Sequence, residues 1–307
     1  MNILIYGIGG VGGYFGAKLA TTDHHVSFVA RGEHLKAIQK QGITVKSFQG
    51  DFNVKPDLAT EDLREIPTPD LVIFGVKSWQ LPKAAEAIKP FINTGTLFLP
   101  LQNGASNPQK LMQFLPKDQI LSGLCNIISF KESPGVIRHF AVDPTLTFGE
   151  LDNKQTKRIL NIQDIFIEAG INGILAKDIH REVWKKFMFI CTISGIGGLT
   201  RVPIGEIRKS TYLYDMMLQT AYEILKIAQT KKIDLNEEDV KNVFEIIDHQ
   251  DPKSTASTQR DIMEGKPSEL ENFNGYIVQE GKKLGVATPI NEMIYECLLP
   301  MEQKARS

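Results

Sequence analysis

A cluster of glycines lies near the start of the chain, between an apolar segment and a helix-forming one. The segment Asn2–Tyr6 is typical of a buried strand, and Gly7-Ile8-Gly9-Gly10-Val11-Gly12 follows it directly. Glycines at this spacing permit a tight turn, close approach of the backbone to a pyrophosphate, and close packing of helix on sheet. A helix N-terminus also favours phosphate. The pattern predicts that a dinucleotide is bound by Gly7, Gly9, Gly10, Val11 and Gly12.

The second predicted strand, Val26–Val29, is followed by Ala30 and Arg31. A site selective for NAD has Asp or Glu here, about 20 residues after the glycines, to accept from the ribose 2′-hydroxyl. A guanidinium instead suits a 2′-phosphate. Arg31 therefore predicts NADP(H) as the cofactor, and the alternative is a solvated loop cation.

Polar residues follow the next two apolar strands. Lys77 comes directly after the strand 71–76, and Asn103 follows the strand 96–99. Ligands of open α/β sheets bind outside the carboxyl ends of the strands, so both residues are candidates to contact the nicotinamide half of the cofactor or the substrate. The alternatives are a solvated cation for Lys77 and a turn residue before Gly104 for Asn103.

Two adjacent lysines, Lys185 and Lys186, interrupt an apolar helical segment, 184–190. A partly desolvated lysine has a lowered pKa and can donate a proton near neutral pH. Lys186 is the candidate acid. Spacing alone favours the alternative, in which both stems lie along the helix surface with their ammonium groups in water.

The composition narrows the class of protein. The 307 residues carry a formal net charge of −1, with 35 basic and 36 acidic side chains, so neither nucleic acid nor an anionic membrane is an expected partner. The three cysteines and six histidines form no metal-ligand pattern. No apolar stretch reaches the roughly 20 residues of a membrane helix, and the N-terminus lacks the basic region of a signal peptide. We expect a cytoplasmic protein that binds a small molecule and no metal.

The elements around these residues define an α/β fold with two domains. Strands and helices alternate in the first half, which predicts a mostly parallel sheet covered on both faces. The second half has helical periodicity. We predict a dinucleotide-binding domain at 1–176 and a helical domain at 177–307. The predicted helices of the second domain are 179–193, 209–230, 237–248, 269–284 and 290–304.

The chain resembles the ketopantoate reductase (2-dehydropantoate 2-reductase) family over nearly its whole length. The resemblance rests on several ordered motifs: Gly7 to Gly12 with Gly16, Ala30-Arg31-Gly32, Val76 to Gln80, Gln102-Asn103-Gly104, Trp184-Lys185-Lys186, Gly198 to Ile207, Ser257, and Glu269 with Asn274-Gly275. It implies an N-terminal Rossmann domain and a helical C-terminal domain of the 6-phosphogluconate dehydrogenase type, with the active site between them. A homodimer is compatible with the resemblance.

The resemblance also implies roles for individual residues. Lys186 matches the catalytic lysine, which protonates the carbonyl oxygen while NADPH delivers hydride to the carbonyl carbon. Asn103 matches the asparagine that helps to hold the nicotinamide ribose and the substrate oxygen, and Lys77 matches the lysine after the fourth strand. Glu269 matches the acid that accepts from the substrate hydroxyl, and Ser257 the serine beside the substrate carboxylate. The sequence Ser268-Glu269-Leu270-Glu271 is also typical of a capping box, with Glu271 reaching back to Ser268.

One departure from the family concerns the helix face that continues from Lys186, which is expected to form one wall of the substrate pocket. The family usually has asparagines four and eight residues after its lysine, where this chain has Ile190 and Ser194. We therefore expect reduction of ketopantoate to pantoate, with Ser194 among the substrate contacts. The alternatives are a reductase of another small ketone or 2-oxo acid and a non-catalytic NADP(H)-binding sensor. A sensor has no need of the acids and bases Lys186, Asn103 and Glu269.

Overall fold

The computed structural model describes residues 1–307, and its strands all lie in the first 175 residues. They are β1 (Asn2–Tyr6), β2 (His25–Val29), β3 (Ile43–Ser47), β4 (Phe52–Val54), β5 (Leu58–Thr60), β6 (Leu71–Phe74), β7 (Leu97–Pro100), β8 (Leu121–Asn126), β9 (Ser129–Ser133), β10 (Val136–His139), β11 (Thr145–Glu150) and β12 (Asn172–Leu175).

The main sheet has the order β5-β2-β1-β6-β7, and every neighbouring pair in it is parallel. β1 is central, because the chain leaves it first on the side of β2 and then returns to its other side as β6. This reversal is the topological switch point at which α/β proteins bind ligands, outside the carboxyl ends of the strands. β6 and β7 are fully buried, which explains their uninterrupted apolar sequences.

Helices cover both faces of this sheet. They are α1 (Gly10–Leu19), α2 (Gly32–Gln41), α3 (Leu81–Ile88), α4 (Asn107–Leu111) and α5 (Lys157–Glu168). Alternate residues of β1 serve the two faces, as the strand period requires. Ile3 and Ile5 pack in one apolar cluster with Phe15 of α1. Leu4 packs in the other with Leu81 of α3.

Two smaller sheets complete the first half. β8, β11 and β12 form one of them, and a bridge between Phe98 and Ile120 links it to β7. β4, β3, β10 and β9 form the other, which packs against α1. Within it, β3 and β4 form an antiparallel pair. The predicted fold class, a Rossmann-like α/β domain with a helical C-terminal domain, is therefore confirmed.

The chain divides into two compact units. The first comprises Met1–Gln102 and Asn107–Ile179, and the second comprises His180–Ser307 together with Asn103–Ser106. The predicted domains, 1–176 and 177–307, remain a prediction. The sequence contained no signal that residues 103–106 group with the helical unit, since such a grouping depends on tertiary contacts and not on local pattern.

The helical unit contains seven α-helices. They are α6 (Ile179–Thr200), α7 (Ile204–Lys209), α8 (Thr211–Thr230), α9 (Glu237–His249), α10 (Ser257–Met263), α11 (Asn274–Leu284) and α12 (Pro289–Arg306). α6 continues past the predicted end at residue 193, through Gly195, Gly197 and Gly198. These glycines serve close packing, because a Cβ on Gly197 would lie 2.6 Å from Oε1 of Gln259 in α10.

The prediction of one helix over 269–284 is wrong. Residues Leu270–Asn272 form a 3₁₀ turn, the backbone leaves helical geometry at Phe273 with ψ −100°, and α11 begins at Asn274. The buried ring of Phe273 packs on Phe187 of α6, with centroids 6.2 Å apart. Tertiary packing therefore overrides the local helical preference here.

No helix combines the length and apolar character needed to cross a membrane. No group of three or more His, Cys, Asp or Glu side chains is arranged to hold a metal ion.

Candidate active site

The glycine turn after β1 has the geometry that the sequence predicts for a dinucleotide. Gly7 has φ +102°, a conformation that L side chains rarely adopt. A Cβ on Gly12 would lie 2.1 Å from the Gly7 carbonyl oxygen, so that position requires glycine for packing. A Cβ on Gly9, in contrast, would meet only the Gly75 oxygen, at 3.9 Å. The space beside Gly9 is therefore open and fits the backbone approach that a pyrophosphate needs.

The N-terminus of α1 is electrostatically suited to phosphate. Gly9 is its N-cap, with no side-chain hydrogen bond to the first turn, and the first turn contains no acidic residue. The partial positive charge of the helix end is consequently neither capped nor neutralised. Gly10 and Val11 open this helix, and a Cβ on Gly10 would lie 2.2 Å from the Ser129 backbone oxygen. The helix start thus packs tightly against β9 while its amides are suited to an anion.

Arg31 stands at the carboxyl end of β2, as predicted, and its side chain is exposed. It is the N-cap residue of α2. Burial raises the pKa of the Tyr6 hydroxyl, and the positive charge of Arg31 opposes that shift, which places the guanidinium near the end of β1. The first acid after β2 is Glu33, and its carboxylate is 2.8 Å from the Lys36 ammonium. The residues present fit a 2′-phosphate better than a free ribose hydroxyl.

Lys77 and Asn103 follow β6 and β7. The exposed Lys77 begins a 3₁₀ turn and its backbone N–H donates to Oε1 of Gln80 at 3.1 Å. Asn103 is partly buried and precedes Gly104, which has φ +124°. The Gln102 side chain, to which the sequence analysis gave no role of its own, donates to the Phe74 carbonyl at 2.9 Å and ties the loop to the end of β6.

Lys186 lies on α6, half-buried, beside an aromatic cluster. Trp184 and Phe187, which flank the lysine pair, both pack against Tyr276 of α11, with ring centroids 6.2 and 6.0 Å away. The Lys185 ammonium lies 3.9 Å from the Glu182 carboxylate one turn earlier. Lys185 therefore has the surroundings of an ordinary surface ion pair.

Ile190 and Ser194 continue the helix face of Lys186 at intervals of four residues. Ile190 is half-buried, and Ser194 is only 1% exposed. The Ser194 hydroxyl has no hydrogen-bond partner within the chain. A buried hydroxyl left unsatisfied costs about 1–3 kcal/mol.

Glu269 is 8% exposed, and its carboxylate accepts from the Asn272 side chain at 2.7 Å. The capping-box alternative is wrong. Ser268 donates through both N–H and Oγ to Glu302 of α12, and Glu271 accepts from the Tyr295 hydroxyl at 2.9 Å. The box fails because both of its members have partners distant in sequence. Asn272 gave no sequence signal of its role.

Ser257 is exposed and is the first residue of α10, a helix that the sequence pattern did not reveal. Gln259 of α10 packs against Gly197 of α6, and its amide donates at 2.9 Å to the carbonyl of Val202, two residues past the end of α6. Its seven residues are too few to show an amphipathic period. The signal that could have revealed it lies on α6, where Gly195, Gly197 and Gly198 leave room for a closely packed neighbour.

The parallel sheet, its glycine turn and the helical unit are the architecture of a dinucleotide-binding α/β protein. Two family models match the chain in order: "Ketopantoate reductase PanE/ApbA" over residues 3–153 and "Ketopantoate reductase PanE/ApbA C terminal" over residues 178–302. The chain therefore belongs to the ketopantoate reductase family and is an oxidoreductase acting on a CH–OH group.

Individual proteins agree with this assignment. The 2-dehydropantoate 2-reductase of Pyrococcus abyssi is 28% identical over 295 residues, which is 96% of each chain. The crystal structure of a PanE/ApbA family ketopantoate reductase from Ralstonia eutropha has a TM-score of 0.92 at 28% identity and 100% coverage of both chains. D-mandelate dehydrogenase, solved with NADH and anilino(oxo)acetate, shares the fold, with a TM-score of 0.90, 24% identity and 100% coverage of both chains.

Proposed function

We propose that this protein reduces ketopantoate to pantoate with NADPH. The observation that carries the proposal is the buried Glu269 carboxylate, which Asn272 holds in the same unit as Lys186. Glu269 matches the family's acid that accepts from the substrate hydroxyl, and an ionised carboxylate is a suitable acceptor for that hydroxyl. Ketopantoate has a hydroxyl, a carbonyl and a carboxylate, one group for each of the proposed contacts.

Each residue has a distinct task in this proposal. Bound NADPH supplies the hydride that reduces the carbonyl carbon. The Lys186 ammonium donates a proton to the carbonyl oxygen, which completes the CH–OH group, and the Asn103 amide orients that oxygen. Glu269 accepts from the substrate hydroxyl, and the Ser257 and Ser194 hydroxyls are donors to the rest of the substrate.

The chain's own residues would hold the cofactor through its phosphates. The amides at Gly9, Gly10 and Val11 would bind the pyrophosphate, and Arg31 would bind the 2′-phosphate as a charge-assisted pair. Lys77 would contact the nicotinamide half. The absence of an acid at the end of β2 removes the usual partner of an NAD ribose.

A second candidate function is reduction of a different small 2-oxo acid. It is favoured by Ile190, which presents an apolar, half-buried side chain where the family usually has an amide. A wall lacking that donor leaves part of a polar substrate unpaired, at a cost of about 1–3 kcal/mol for each group. An apolar substituent at that point would be tolerated better.

The test is a panel of 2-oxo acids assayed by NADPH oxidation, with the hydroxy acid products identified. We expect turnover, with ketopantoate among the good substrates. Turnover of another 2-oxo acid at much higher kcat/KM would favour the second candidate. Tight NADPH binding without turnover of any panel member would contradict both and indicate a sensor.

A further inference from the structure

An ionic cluster in the helical unit, in which the carboxylate is buried and the guanidinium is partly exposed, fixes the residue that immediately precedes Glu269. Ser268 is fully buried, and Glu302, on α12, is 3% exposed. The Ser268 N–H donates to both Glu302 oxygens, at 3.1 and 3.0 Å, and its hydroxyl donates to Oε2 at 2.5 Å. Arg306, one turn further along α12, completes the cluster: its Nε donates to Glu302 Oε1 at 2.6 Å and its Nη2 to the Ser268 carbonyl at 3.0 Å.

These contacts use every polar group of Ser268. Its N–H, hydroxyl and carbonyl are all bound, and the hydroxyl also accepts from the Leu270 N–H at 3.2 Å. Glu269 therefore lies between Ser268 and Leu270, which are joined to each other through the Ser268 hydroxyl. On the other side, its carboxylate accepts from Asn272. A short turn held in this way has little freedom to redirect its carboxylate.

The cluster is costly to build, which indicates that it does more than fill space. Transfer of the Glu302 carboxylate out of water carries a penalty that pairing with the partly exposed Arg306 only partly offsets, and an apolar side chain of similar size often stabilises a fold as well. What apolar residues cannot do is fix a backbone N–H and a carbonyl of one residue in a single orientation.

We propose that Glu302 and Arg306 are positioning residues, which act through Ser268 to aim the Glu269 carboxylate at the substrate hydroxyl. The inference rests on the role of Glu269 in the proposed function. It assigns substrate discrimination to a cluster on the last helix, whose own side chains are bound to Ser268. If the cluster is loosened, the turnover of a substrate that has the hydroxyl should therefore fall more than the turnover of a substrate that lacks it.

The experiment compares two substrates that differ only in that hydroxyl, ketopantoate and trimethylpyruvate. The measured quantity is the ratio of their kcat/KM values, in wild type and in the variants Ser268→Ala and Glu302→Gln. Ser268→Ala deletes one hydroxyl and is the mild variant. Glu302→Gln keeps the shape but offers Arg306 and Ser268 only one acceptor oxygen. We expect either variant to lower the ratio about 10- to 100-fold, the scale of a misplaced contact group. Trimethylpyruvate turnover should change little.

Glu280→Gln is the matched control. Glu280 is also a buried carboxylate of the helical unit, 7% exposed and paired with Lys231 and Lys283, but it has no contact with the turn of Glu269. An unchanged ratio in Ser268→Ala and Glu302→Gln, or an equal fall in Glu280→Gln, would overturn the inference.

Glu269→Gln separates this inference from the proposed function. A loss of discrimination in Glu269→Gln that the cluster variants do not share would refute the positioning role and leave the function intact. If Glu269→Gln itself keeps the wild-type ratio, the role of Glu269 is wrong, and the positioning role is wrong with it.

Discussion

Arg31 is the residue on which cofactor choice depends in this account. Its guanidinium is exposed at the end of β2, with no acid between it and the strand. A charge-assisted hydrogen bond to the 2′-phosphate is worth about 1.5–3 kcal/mol, so we expect NADPH to be preferred over NADH by roughly 10- to 150-fold. Arg31→Ala should abolish most of that preference. The measurement is kcat/KM for each coenzyme.

The control for this prediction is Arg64→Ala. Arg64 is another exposed arginine, and its partner is Asp62 at 2.5 Å. The variant Arg64→Ala removes the same charge from the first unit and should leave the preference for NADPH over NADH unchanged. Equal efficiency with both coenzymes in wild type would rule out the role of Arg31.

Lys186 and Lys185 form a natural pair of test and control. If Lys186 is the general acid, Lys186→Ala should lower kcat about 10²- to 10⁴-fold with nearly unchanged NADPH affinity. Lys185 lies beside Glu182 in a surface ion pair, so Lys185→Ala should have little effect. Steady-state kinetics and a fluorescence titration with NADPH give both quantities. The assignment fails if the two variants behave alike, or if cofactor affinity is the main loss in Lys186→Ala.

At the scale of elements, the turn between β1 and α1 contains one glycine that packing requires, Gly12, and another that cofactor binding is expected to require, Gly9. A Cβ at position 12 would meet the Gly7 carbonyl at 2.1 Å, so Gly12→Ala should destabilise the protein by about 1–3 kcal/mol. Position 9 has open space, and Gly9→Ala should cost about 1 kcal/mol or less. Because that space is where a pyrophosphate fits, Gly9→Ala should nevertheless weaken NADPH binding at least tenfold.

Urea unfolding of the two glycine variants measures the loss of stability, and titration with NADPH measures the loss of cofactor affinity. Undiminished NADPH affinity in a stable Gly9→Ala protein would show that the cofactor does not approach this turn.

The junction of β11 and α5 predicts a pH dependence of stability. Glu150, 4% exposed, accepts from Arg158 at 2.6 and 2.7 Å and from Thr156, the N-cap of α5, at 2.6 Å. Burial on its own raises the pKa of Glu150, but these hydrogen bonds outweigh it and hold the pKa below its usual value. The folded state therefore binds this proton less tightly than the unfolded state, so the stabilisation is present above the unfolded pKa, about 4.3.

Glu150→Gln should consequently lower the free energy of unfolding by about 1–3 kcal/mol at pH 7. The difference from wild type should shrink as the pH falls below about 4 and through the folded pKa. Urea unfolding at several pH values measures it. A difference that stays constant across that range would contradict the assignment.

The local sequence predicted strands and helices best where its pattern was compatible with only one type of element. The parallel strands are encoded in short apolar runs, and the start of α6 is encoded in helical periodicity. Local rules failed at residues 268–273, where a capping box and a continuous helix were both expected. There Ser268, Glu271 and Phe273 bind or pack against residues of α12 and α6, and no local rule contains those contacts.

At the scale of the whole molecule, sequence motifs predicted the family and the two-part architecture, whereas substrate identity depends on a few wall positions. Ile190 is the position at which this chain departs most from the expected polar wall. Ile190→Asn should raise the preference for ketopantoate over trimethylpyruvate about 2- to 10-fold, the worth of one neutral hydrogen bond. Ile246→Asn, on the exposed face of α9, is the control. The interpretation of the wall is wrong if wild type already prefers ketopantoate by more than about 10⁴-fold and Ile190→Asn brings no gain.

The reaction proposed for this chain is transfer of hydride from NADPH to the carbonyl carbon of a 2-oxo acid. The most direct measurement is the fate of deuterium from NADPH labelled at the transferred position, with ketopantoate as substrate and mass spectrometry of the product. We predict pantoate with a single deuterium on its hydroxyl-bearing carbon, and loss of that product in Lys186→Ala but not in Lys185→Ala. Bound NADPH that retains its label, with ketopantoate unchanged, would show that the protein does not catalyse this reaction.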